Sequence, residues 1–348
     1  MPFPISDYVK EVIVMHMADA LLSTAVAGTM YVASTGAAAY SIKKVKEEAD
    51  FRKIPVMGVM GALVFATQML NFTIPGTGSS GHLCGGMLVS AMLGPFAGFL
   101  TMIGILLIQC LLFADGGVLA LGANVWNMAF YGCFIGALLI WKPIMKNGAS
   151  RAKIIIASIA GCVITLQMGA FSVVLQTLAS GITELPFSIF VGFMQPIHLA
   201  IGLVEGLITA AVLLFVYETR PEMLWGVGVE SKENKLSAKK VLLVITAVAI
   251  IFSGAVSLYA SSNPDGLEWS LERVTGSPEL EAEGSAYETA ESIQEATAIL
   301  PDYTWKDATE DNESLGTSFS GVFGSLLVVA VFGLFGMVWK SAAGKNRA

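Results

Sequence analysis

Long apolar runs, each about 20 residues, recur along most of this 348-residue chain. An α-helix rises about 1.5 Å per residue, so such a run crosses the bilayer's hydrocarbon core, which is about 30 Å thick. In lipid, only helices or closed barrels satisfy the backbone, and these runs lack the alternation of barrel strands. Charged residues make up 14% of the chain, against about 25% in soluble domains. The sequence therefore predicts an all-α, polytopic helical membrane protein.

The apolar runs define nine candidate transmembrane spans. The third is too short to cross a bilayer alone, and the long seventh span is expected to break at Pro196. The spans are 17–41, 54–73, 83–93, 96–113, 119–141, 154–178, 188–217, 241–260 and 318–339. We interpret residues 15–217 as a seven-helix membrane domain and residues 241–339 as a second module with two helices. Residues 218–240 are expected to form a cytoplasmic linker, and residues 340–348 a cytoplasmic tail.

Lysine and arginine are concentrated in four segments between or after these spans. If each span crosses once, all four segments lie on one side, and the positive-inside rule makes that side the cytoplasm. The segments are 42–53, 142–153, 218–240 and 340–348. We expect a multi-pass protein of the cell membrane, inner or plasma, with a cytoplasmic C-terminus. The segment before residue 17, the 74–82 loop and Asp115 then face the outside.

The segment between the last two spans, residues 261–317, is rich in aspartate and glutamate, unlike the rest of the chain. An acidic external loop could raise the local concentration of cations. The alternative is a solvated, partly disordered loop whose carboxylates have no specific role. Its acidic residues include Asp265, Glu268, Glu272, Glu279, Glu281, Glu283, Glu288 and Glu291.

The chain carries no recognisable motif of an enzyme. The phosphate-binding pattern GxxxxGK[ST] does not occur, so we do not expect the chain to hydrolyse ATP itself. The HExxH and GxSxG patterns do not occur either. The four cysteines lie within apolar runs without CxxC spacing, which favours packing over disulfides or zinc binding. We expect a non-enzymatic protein in membrane lipid, with no nucleic-acid partner and no organic cofactor.

Two of the three histidines, His16 and His82, fall at the outer face in this topology. His16 directly precedes the first span, and His82 follows the glycine-rich run 75–81. Neutral imidazole binds nickel, copper, zinc and cobalt, so the two histidines could form a metal site. The alternative is that they cap helices or bond to backbone carbonyls. His198 lies in the seventh span, seven residues before Glu205, and we expect a structural partner or a contact with another subunit.

Short motifs with glycine, histidine and asparagine are spaced along residues 15–217. They are Met15-His16-Met17-Ala18-Asp19, Ser80-Gly81-His82-Leu83-Cys84, Leu93-Gly94-Pro95, Phe113-Ala114-Asp115-Gly116-Gly117, Leu121-Gly122-Ala123-Asn124, Asn127-Met128, His198-Leu199-Ala200-Ile201-Gly202 and Glu205-Gly206-Leu207-Ile208-Thr209. In this order they resemble the substrate-binding subunits of energy-coupling-factor transporters for cobalt and nickel, the CbiM/NikM type. The second module, with Pro264-Asp265-Gly266-Leu267-Glu268 between its spans, resembles the small CbiN/NikN partner and its PDGLE domain.

The resemblance implies the metal-binding membrane subunit of an ATP-driven importer of Ni²⁺ or Co²⁺. The fusion of the two modules favours nickel over cobalt. Implied partners are cytoplasmic ATPase subunits of the CbiO/NikO type and a transmembrane coupling subunit of the CbiQ/NikQ type. The alternative function is a stand-alone secondary cobalt/nickel transporter or channel, although no row of acidic residues lies within the spans. A third is a receptor that senses metal through its acidic loop.

The resemblance also implies a nitrogen ligand set: the free amine of Met15, the amide and imidazole of His16, and the imidazole of His82. Amine and amide would close a five-membered chelate ring, and amide and Nδ1 a six-membered one. Such square-planar nitrogen ligation suits Ni²⁺. Because residues 1–14 precede Met15, we expect that translation begins at Met15 or that the extension is removed.

Polar residues within the spans form two pairs, each on one helix face: Gln68 with Asn71, and Asn124 with Asn127. Such side chains either hydrogen-bond between helices or orient His16 and His82 from outside the ligand set. Small residues that predict close helix packing are Gly28, Ala33, Gly36, Gly58, Gly61 and Ala62.

Overall fold

The computed structural model describes residues 16–228, 236–278, 280–309 and 312–345. Met15 and the 1–14 extension therefore lie outside the described residues, as do Glu279 and parts of the predicted linker and tail. Where the chain is described, it consists of helices joined by turns, short 3-10 helices and one small hairpin; the helices are α-helical except for a π-helical stretch, Val125–Trp141. The predicted all-α fold is confirmed.

Eleven helices follow one another along the described residues. They are α1 (Thr24–Glu48), α2 (Lys53–Gln68), α3 (Gly86–Leu93), α4 (Pro95–Leu112), α5 (Leu121–Met145), α6 (Arg151–Ser180), α7 (Phe187–Thr219), α8 (Ala238–Gly254), α9 (Gly266–Thr275), α10 (Ser285–Thr297) and α11 (Glu313–Lys345). Strands β1 (Phe72–Ile74) and β2 (Ser79–Gly81) pair antiparallel between α2 and α3. A serine precedes three of these helices as the N-cap residue, and its hydroxyl accepts an N–H of the first turn. These serines are Ser23 before α1, Ser150 before α6 and Ser237 before α8.

Among the described residues, five helices are long and apolar enough to cross a membrane: α4, α5, α6, α7 and α11. The predicted number of nine is thus not confirmed, although every predicted span overlaps a helix. Helix α2 has 16 residues and α8 has 17, and α3 is an 8-residue helix, as short as expected. Helix α1 begins at Thr24 rather than at residue 17, which leaves residues 16–23 outside the helix.

The predicted break at Pro196 is wrong, because α7 runs without interruption from Phe187 to Thr219. A proline removes one N–H from the helix, and neighbouring side chains can stabilise the carbonyls around it. Here Nδ1 of His198 lies 2.8 Å from the Met194 carbonyl oxygen. Gln167 of α6 donates to the carbonyl of Gln195 at 2.9 Å. These two contacts lie beside the proline, whereas the carbonyl that loses its N–H partner is that of Gly192, four residues before it.

Close helix packing is confirmed at Gly58 and Gly61 but not at Gly28 and Gly36. Added Cβ atoms on Gly58 and Gly61 would lie 3.5 Å from Val329 and 2.8 Å from Val328 of α11. At Gly28 and Gly36 nothing lies within 4 Å of such an atom. The spacing of glycines alone therefore does not distinguish a packed helix face from an open one, because close packing also requires a neighbouring helix at that face.

The chain between α8 and α11, residues 255–312, forms an accessory module against the membrane helices. Its described residues include α9 and α10, so the interpretation of a partly disordered loop is wrong there. The backbone N–H groups of Ile299 and Leu300 donate to the carbonyl of Leu112, at the end of α4, at 3.0 and 3.1 Å. Many carboxylates are exposed, as on Glu272, but those of Asp265 and Glu268 are buried.

Candidate metal centre

His16 lies in the non-helical segment that precedes α1, and the loop between α4 and α5 fixes this segment. The carboxamide of Asn124 accepts from the Met17 N–H at 3.1 Å and donates to the Met17 carbonyl at 3.0 Å. The N–H of Gly117 also donates to that carbonyl, at 3.1 Å. Two residues on, the Asp19 carboxylate accepts from the Ala120 N–H at 2.8 Å. The position of His16 therefore depends on residues about 100 positions later.

Gly117 is required by this packing, and we expect Gly117→Ala to destabilise the protein by about 1–3 kcal/mol. An added Cβ would lie 1.8 Å from Oδ1 of Asp19 and 2.5 Å from its backbone nitrogen, so the segment would have to move. Gly36→Ala is the matched control, since nothing lies within 4 Å of its added Cβ. Thermal unfolding in detergent measures both. Equal unfolding midpoints of the two variants would contradict the proposed contact.

His82 follows β2, and buried hydrogen bonds hold the chain immediately after it. The Glu205 carboxylate of α7 accepts the backbone N–H groups of Cys84 and Gly85, each at 2.9 Å. The carboxamide of Gln68 donates to the carbonyl of Cys84 at 2.8 Å. Nδ1 of His82 lies 3.2 Å from the carbonyl oxygen of Leu83. The ring proton can lie on Nδ1 or on Nε2, and a metal ion would bind the nitrogen without it.

The structure brings His16 and His82 together. Their ring centroids are 5.4 Å apart with an interplanar angle of 85°, and His16 is only 4% exposed. Both line a cavity of about 90 Å³, large enough for a few water molecules at about 30 Å³ each. His198, Asn124, Asn127 and Asp265 also line it. Two imidazoles at one small buried cavity can bind a single transition-metal ion.

A carboxylate lies beside each imidazole. Oδ1 of Asp115 is 3.0 Å from Nδ1 of His16, and Oδ2 of Asp265 is 3.7 Å from Nε2 of His82. Burial raises the pKa of Asp115, but the charge and hydrogen bond of His16, the hydroxyl of Tyr303 and the charge of His82 outweigh it. The pKa of Asp115 therefore lies below its ordinary value, and this buried group is a carboxylate at neutral pH.

Nε2 of His16 is buried and has no hydrogen-bond partner among the described residues. In the structure, Nδ1 of the His16 ring faces Asp115. The chelate implied by the family resemblance would instead use this Nδ1 to bind the metal. A carboxylate that accepts from one nitrogen of a ligating histidine commonly fixes the ring for metal binding by the other. The observed position therefore favours Nε2 as the donor atom. No group of three or more His, Cys, Asp or Glu side chains suited to a metal ion is found within the described residues.

The asparagines and glutamines predicted to orient the histidines contact other groups. Gln68 and Asn124 bind backbone, as described above, and Asn127 pairs with Gln176 through two hydrogen bonds of 2.8 and 2.9 Å. Asn71 lies beyond the end of α2 and not on one helix face with Gln68. Its backbone carbonyl accepts the N–H of Ser261 at 2.8 Å, and its side-chain oxygen has no hydrogen-bond partner among the described residues. These residues hold the loops around the cavity. His198 and Glu205 do not pair with each other, because each contacts backbone groups.

Three residues close to the histidines were not predicted as site residues: Asp115, Asp265 and Tyr303. The hydroxyl of Tyr303 donates to Oδ2 of Asp115 at 2.5 Å. Asp115 and Asp265 lie in the motifs Phe113-Ala114-Asp115-Gly116-Gly117 and Pro264-Asp265-Gly266-Leu267-Glu268, which could have drawn attention to them. Nothing in the local sequence distinguishes Tyr303.

The chain is similar to known proteins over most of its length. Residues 16–223 match the family model described as the cobalt uptake substrate-specific transmembrane region, and residues 239–341 match the PDGLE domain. A protein of Archaeoglobus fulgidus, provisionally named the fused nickel transport protein NikMN, is 34% identical over 329 residues, which cover 91% of this chain and 96% of that protein. The fused nickel transport protein NikMN of Rhodobacter capsulatus is 28% identical over 349 residues, covering 92% and 96%.

Solved structures extend the similarity to the fold of the membrane helices. A crystal structure of a truncated transition metal transporter has a TM-score of 0.52 and 28% identity, and the match covers 59% of this chain and 99% of that one. The family match itself spans more than half of the present sequence. The chain therefore belongs to the cobalt uptake substrate-specific transmembrane family and carries a PDGLE domain fused behind that region.

Proposed function

We propose that this chain captures a divalent transition-metal ion, nickel in preference to cobalt, as the metal-binding membrane subunit of an ATP-driven importer. The observation that carries the proposal is the pair of imidazoles, His16 and His82, at one small cavity. Relatives that share the fused architecture carry names of nickel transport proteins, which supports nickel. The description of the family refers to cobalt uptake, so the two metals have to be compared directly.

The donor atoms explain why a transition metal is the expected cargo. Imidazole nitrogen suits nickel, cobalt, copper and zinc, whereas Mg²⁺ and Ca²⁺ prefer oxygen ligands. We propose a free amine of Met15 as a further nitrogen ligand; it would chelate the metal together with Nδ1 of His16, which requires that the ring turn from the position in which Nδ1 faces Asp115. Mass spectrometry of the nickel-loaded protein tests this ligand. A mature chain that begins at Met15 supports it, and an intact extension 1–14 on a metal-loaded chain contradicts it.

The position of the site along α1 supports capture from outside. His16 lies just before the start of α1, and Lys43, Lys44 and Lys46 lie in its last two turns. Although α1 is not among the five helices apolar enough to cross a membrane by composition, its 25 residues separate these ends by about 37 Å at 1.5 Å per residue, more than the hydrocarbon core of a bilayer. Positive side chains mark the cytoplasmic end. The metal site then belongs at the extracytoplasmic end, with the C-terminus in the cytoplasm.

Uptake of radioactive nickel and cobalt by cells tests the proposed transport. The chain would be expressed with and without ATPase and coupling subunits from a related importer, and competition between the metals would give their order. We expect uptake only when the partners are present, because the chain has no nucleotide-binding motif. Equal uptake without partners would overturn the proposal in favour of a stand-alone secondary transporter or channel.

We expect nickel binding to weaken as the pH falls. Histidine binds metal in its neutral form, so a protonated ring must first release its proton. Burial lowers the pKa of His82, but the carboxylates of Asp265 and Asp115 raise it to about 9. Below that pKa, each unit of acidification should lower the apparent affinity about tenfold per displaced proton. Equilibrium dialysis at about pH 6 to 8 measures this slope, and an affinity that does not change with pH would contradict it.

A further inference from the structure

The accessory module, residues 255–312, reaches the two candidate metal ligands at two separate points. Asp265 approaches His82, and Tyr303 approaches Asp115, which contacts His16. Both residues are 4% exposed. They come from different turns of the module, one before α9 and one after α10. The module therefore contacts both candidate ligands of the membrane domain, His82 directly and His16 through one carboxylate.

Asp265 is held rigidly by its place at the start of α9. Its Oδ1 accepts the N–H groups of Leu267 and Glu268 at 2.7 and 2.8 Å, and the Glu268 carboxylate accepts the N–H of Asp265 at 3.0 Å. This reciprocal cap fixes the carboxylate and leaves Oδ2 facing His82. The carbonyl of Pro264 accepts the N–H of Ser80 at 2.8 Å, which ties the cap to the hairpin that carries His82.

Tyr303 is held by its ring and by two hydrogen bonds. The ring stacks on Phe113 at a centroid distance of 5.0 Å and an angle of 22°. The carboxamide of Gln109 donates to the phenol oxygen at 3.0 Å, so the phenol proton is given to Asp115. Oδ1 of Asp115 in turn lies 3.0 Å from Nδ1 of His16. A continuous chain of buried hydrogen bonds thus runs from the accessory module to the His16 ring.

We propose that Asp265 and Tyr303 are positioning residues through which the accessory module sets the orientation of the two metal-binding imidazoles. The proposal rests on the proposed function, since it assumes that His16 and His82 bind the metal. Groups that orient a ligating histidine typically change metal affinity by about 10- to 100-fold when they are removed. The fused module is then a part of the binding site and not only a neighbour of it.

The test uses Asp265→Asn and Tyr303→Phe in the full-length protein, with nickel as the probe. Asparagine caps helices as well as aspartate does, so Asp265→Asn keeps the start of α9 and removes only the charge. Phenylalanine keeps the stacking on Phe113 and removes the hydroxyl. We expect each variant to bind nickel about 10- to 100-fold more weakly. We also expect altered ligand-field absorption of the bound nickel in both variants, and an unchanged unfolding midpoint of the metal-free Asp265→Asn protein.

Two matched controls separate positioning from docking of the module. Glu272→Gln removes an exposed carboxylate from the same helix as Asp265. Tyr287→Phe removes a tyrosine hydroxyl that donates to the Leu22 carbonyl at 2.8 Å, so the module loses a contact that does not involve Asp115. Both controls should bind nickel as the wild type does.

The outcomes are distinguishable. The positioning role is overturned if Asp265→Asn and Tyr303→Phe bind nickel like the controls, while His16→Ala and His82→Ala still abolish binding. It is also overturned if both variants bind nickel more weakly, unfold at a lower temperature than the wild type and leave the absorption spectrum of the bound nickel unchanged. If nickel binding survives both histidine substitutions, the proposed function fails, and the positioning role fails with it.

Discussion

His82→Ala is expected to lower the affinity for nickel by more than about 100-fold. Loss of a group that only orients a ligand lowers metal affinity by about 10- to 100-fold. The substitution removes one of the donor nitrogens that line the cavity of about 90 Å³. Nearby oxygen atoms, such as those of Asp265, are poorer donors for nickel than imidazole. Isothermal titration with nickel in detergent measures the effect. The magnitude matters because it distinguishes a ligand from a residue that acts on one.

His16→Ala should have an effect of the same size on nickel binding and a further effect on stability. It leaves the Asp115 carboxylate buried without the imidazole that now lies 3.0 Å away, which is costly for a charged group. Thr73→Ala is the control for both histidine variants, because Thr73 is an exposed residue of the hairpin that carries His82. Wild-type nickel affinity in either histidine variant would remove that residue from the ligand set.

Glu205→Ala is expected to cost about 2–6 kcal/mol of stability and to abolish nickel binding. The carboxylate accepts two backbone N–H groups, those of Cys84 and Gly85, each at 2.9 Å. A buried donor left without its partner costs about 1–3 kcal/mol, and here two would be left. The same amides lie two and three residues after His82, so their release should displace its ring. Thermal unfolding and nickel titration of one preparation measure both consequences.

Glu218→Ala provides the comparison for Glu205, because it removes a carboxylate from the same helix at an exposed position. Glu218 pairs with Arg151 at 2.8 Å, and their side chains are 41% and 73% exposed. A surface ion pair of this kind contributes about 0–1 kcal/mol. If Glu205→Ala unfolds at the same temperature as Glu218→Ala, the two amide hydrogen bonds do not hold the His82 loop.

The helical fold could be predicted from the sequence, because an apolar segment in a bilayer must satisfy its own backbone hydrogen bonds and therefore forms a helix. Each predicted span overlaps an observed helix, and the short third span is the 8-residue α3. The break at Pro196 was not correctly predicted, because a long membrane helix packed against its neighbours can tolerate a proline at the loss of one backbone hydrogen bond. Packing of this kind leaves no signal in a hydropathy pattern.

The candidate site was predictable where its residues sit in local motifs and not where they come from distant segments. His16 and His82 were predicted from their positions and types, and the structure brings their rings within 5.4 Å. Tyr303 lies 188 residues after Asp115, in a segment whose acidic composition suggests solvated loop. Its packing on Phe113, seen only in three dimensions, is one sign that part of this segment is buried.

The accessory module also shows how average composition conceals a local pattern. Its carboxylates are numerous, yet Leu267 and Leu271 lie four residues apart on one face of α9 and are buried. The capping pair of Asp265 and Glu268 precedes them with the spacing of a helix start. The periodicity of residues 265–271 alone predicts a helix with one buried face, whereas the overall charge of the module indicates a solvated loop.

Anomalous diffraction at the nickel absorption edge, from crystals of the nickel-loaded protein, tests the central claim most directly. A single strong peak should lie in the cavity between the two imidazoles, at about 2.0–2.1 Å from a nitrogen of His16 and from a nitrogen of His82, as for other imidazole-bound metal ions. A peak among the exposed carboxylates of the accessory module, with the cavity between the histidines empty, would contradict it.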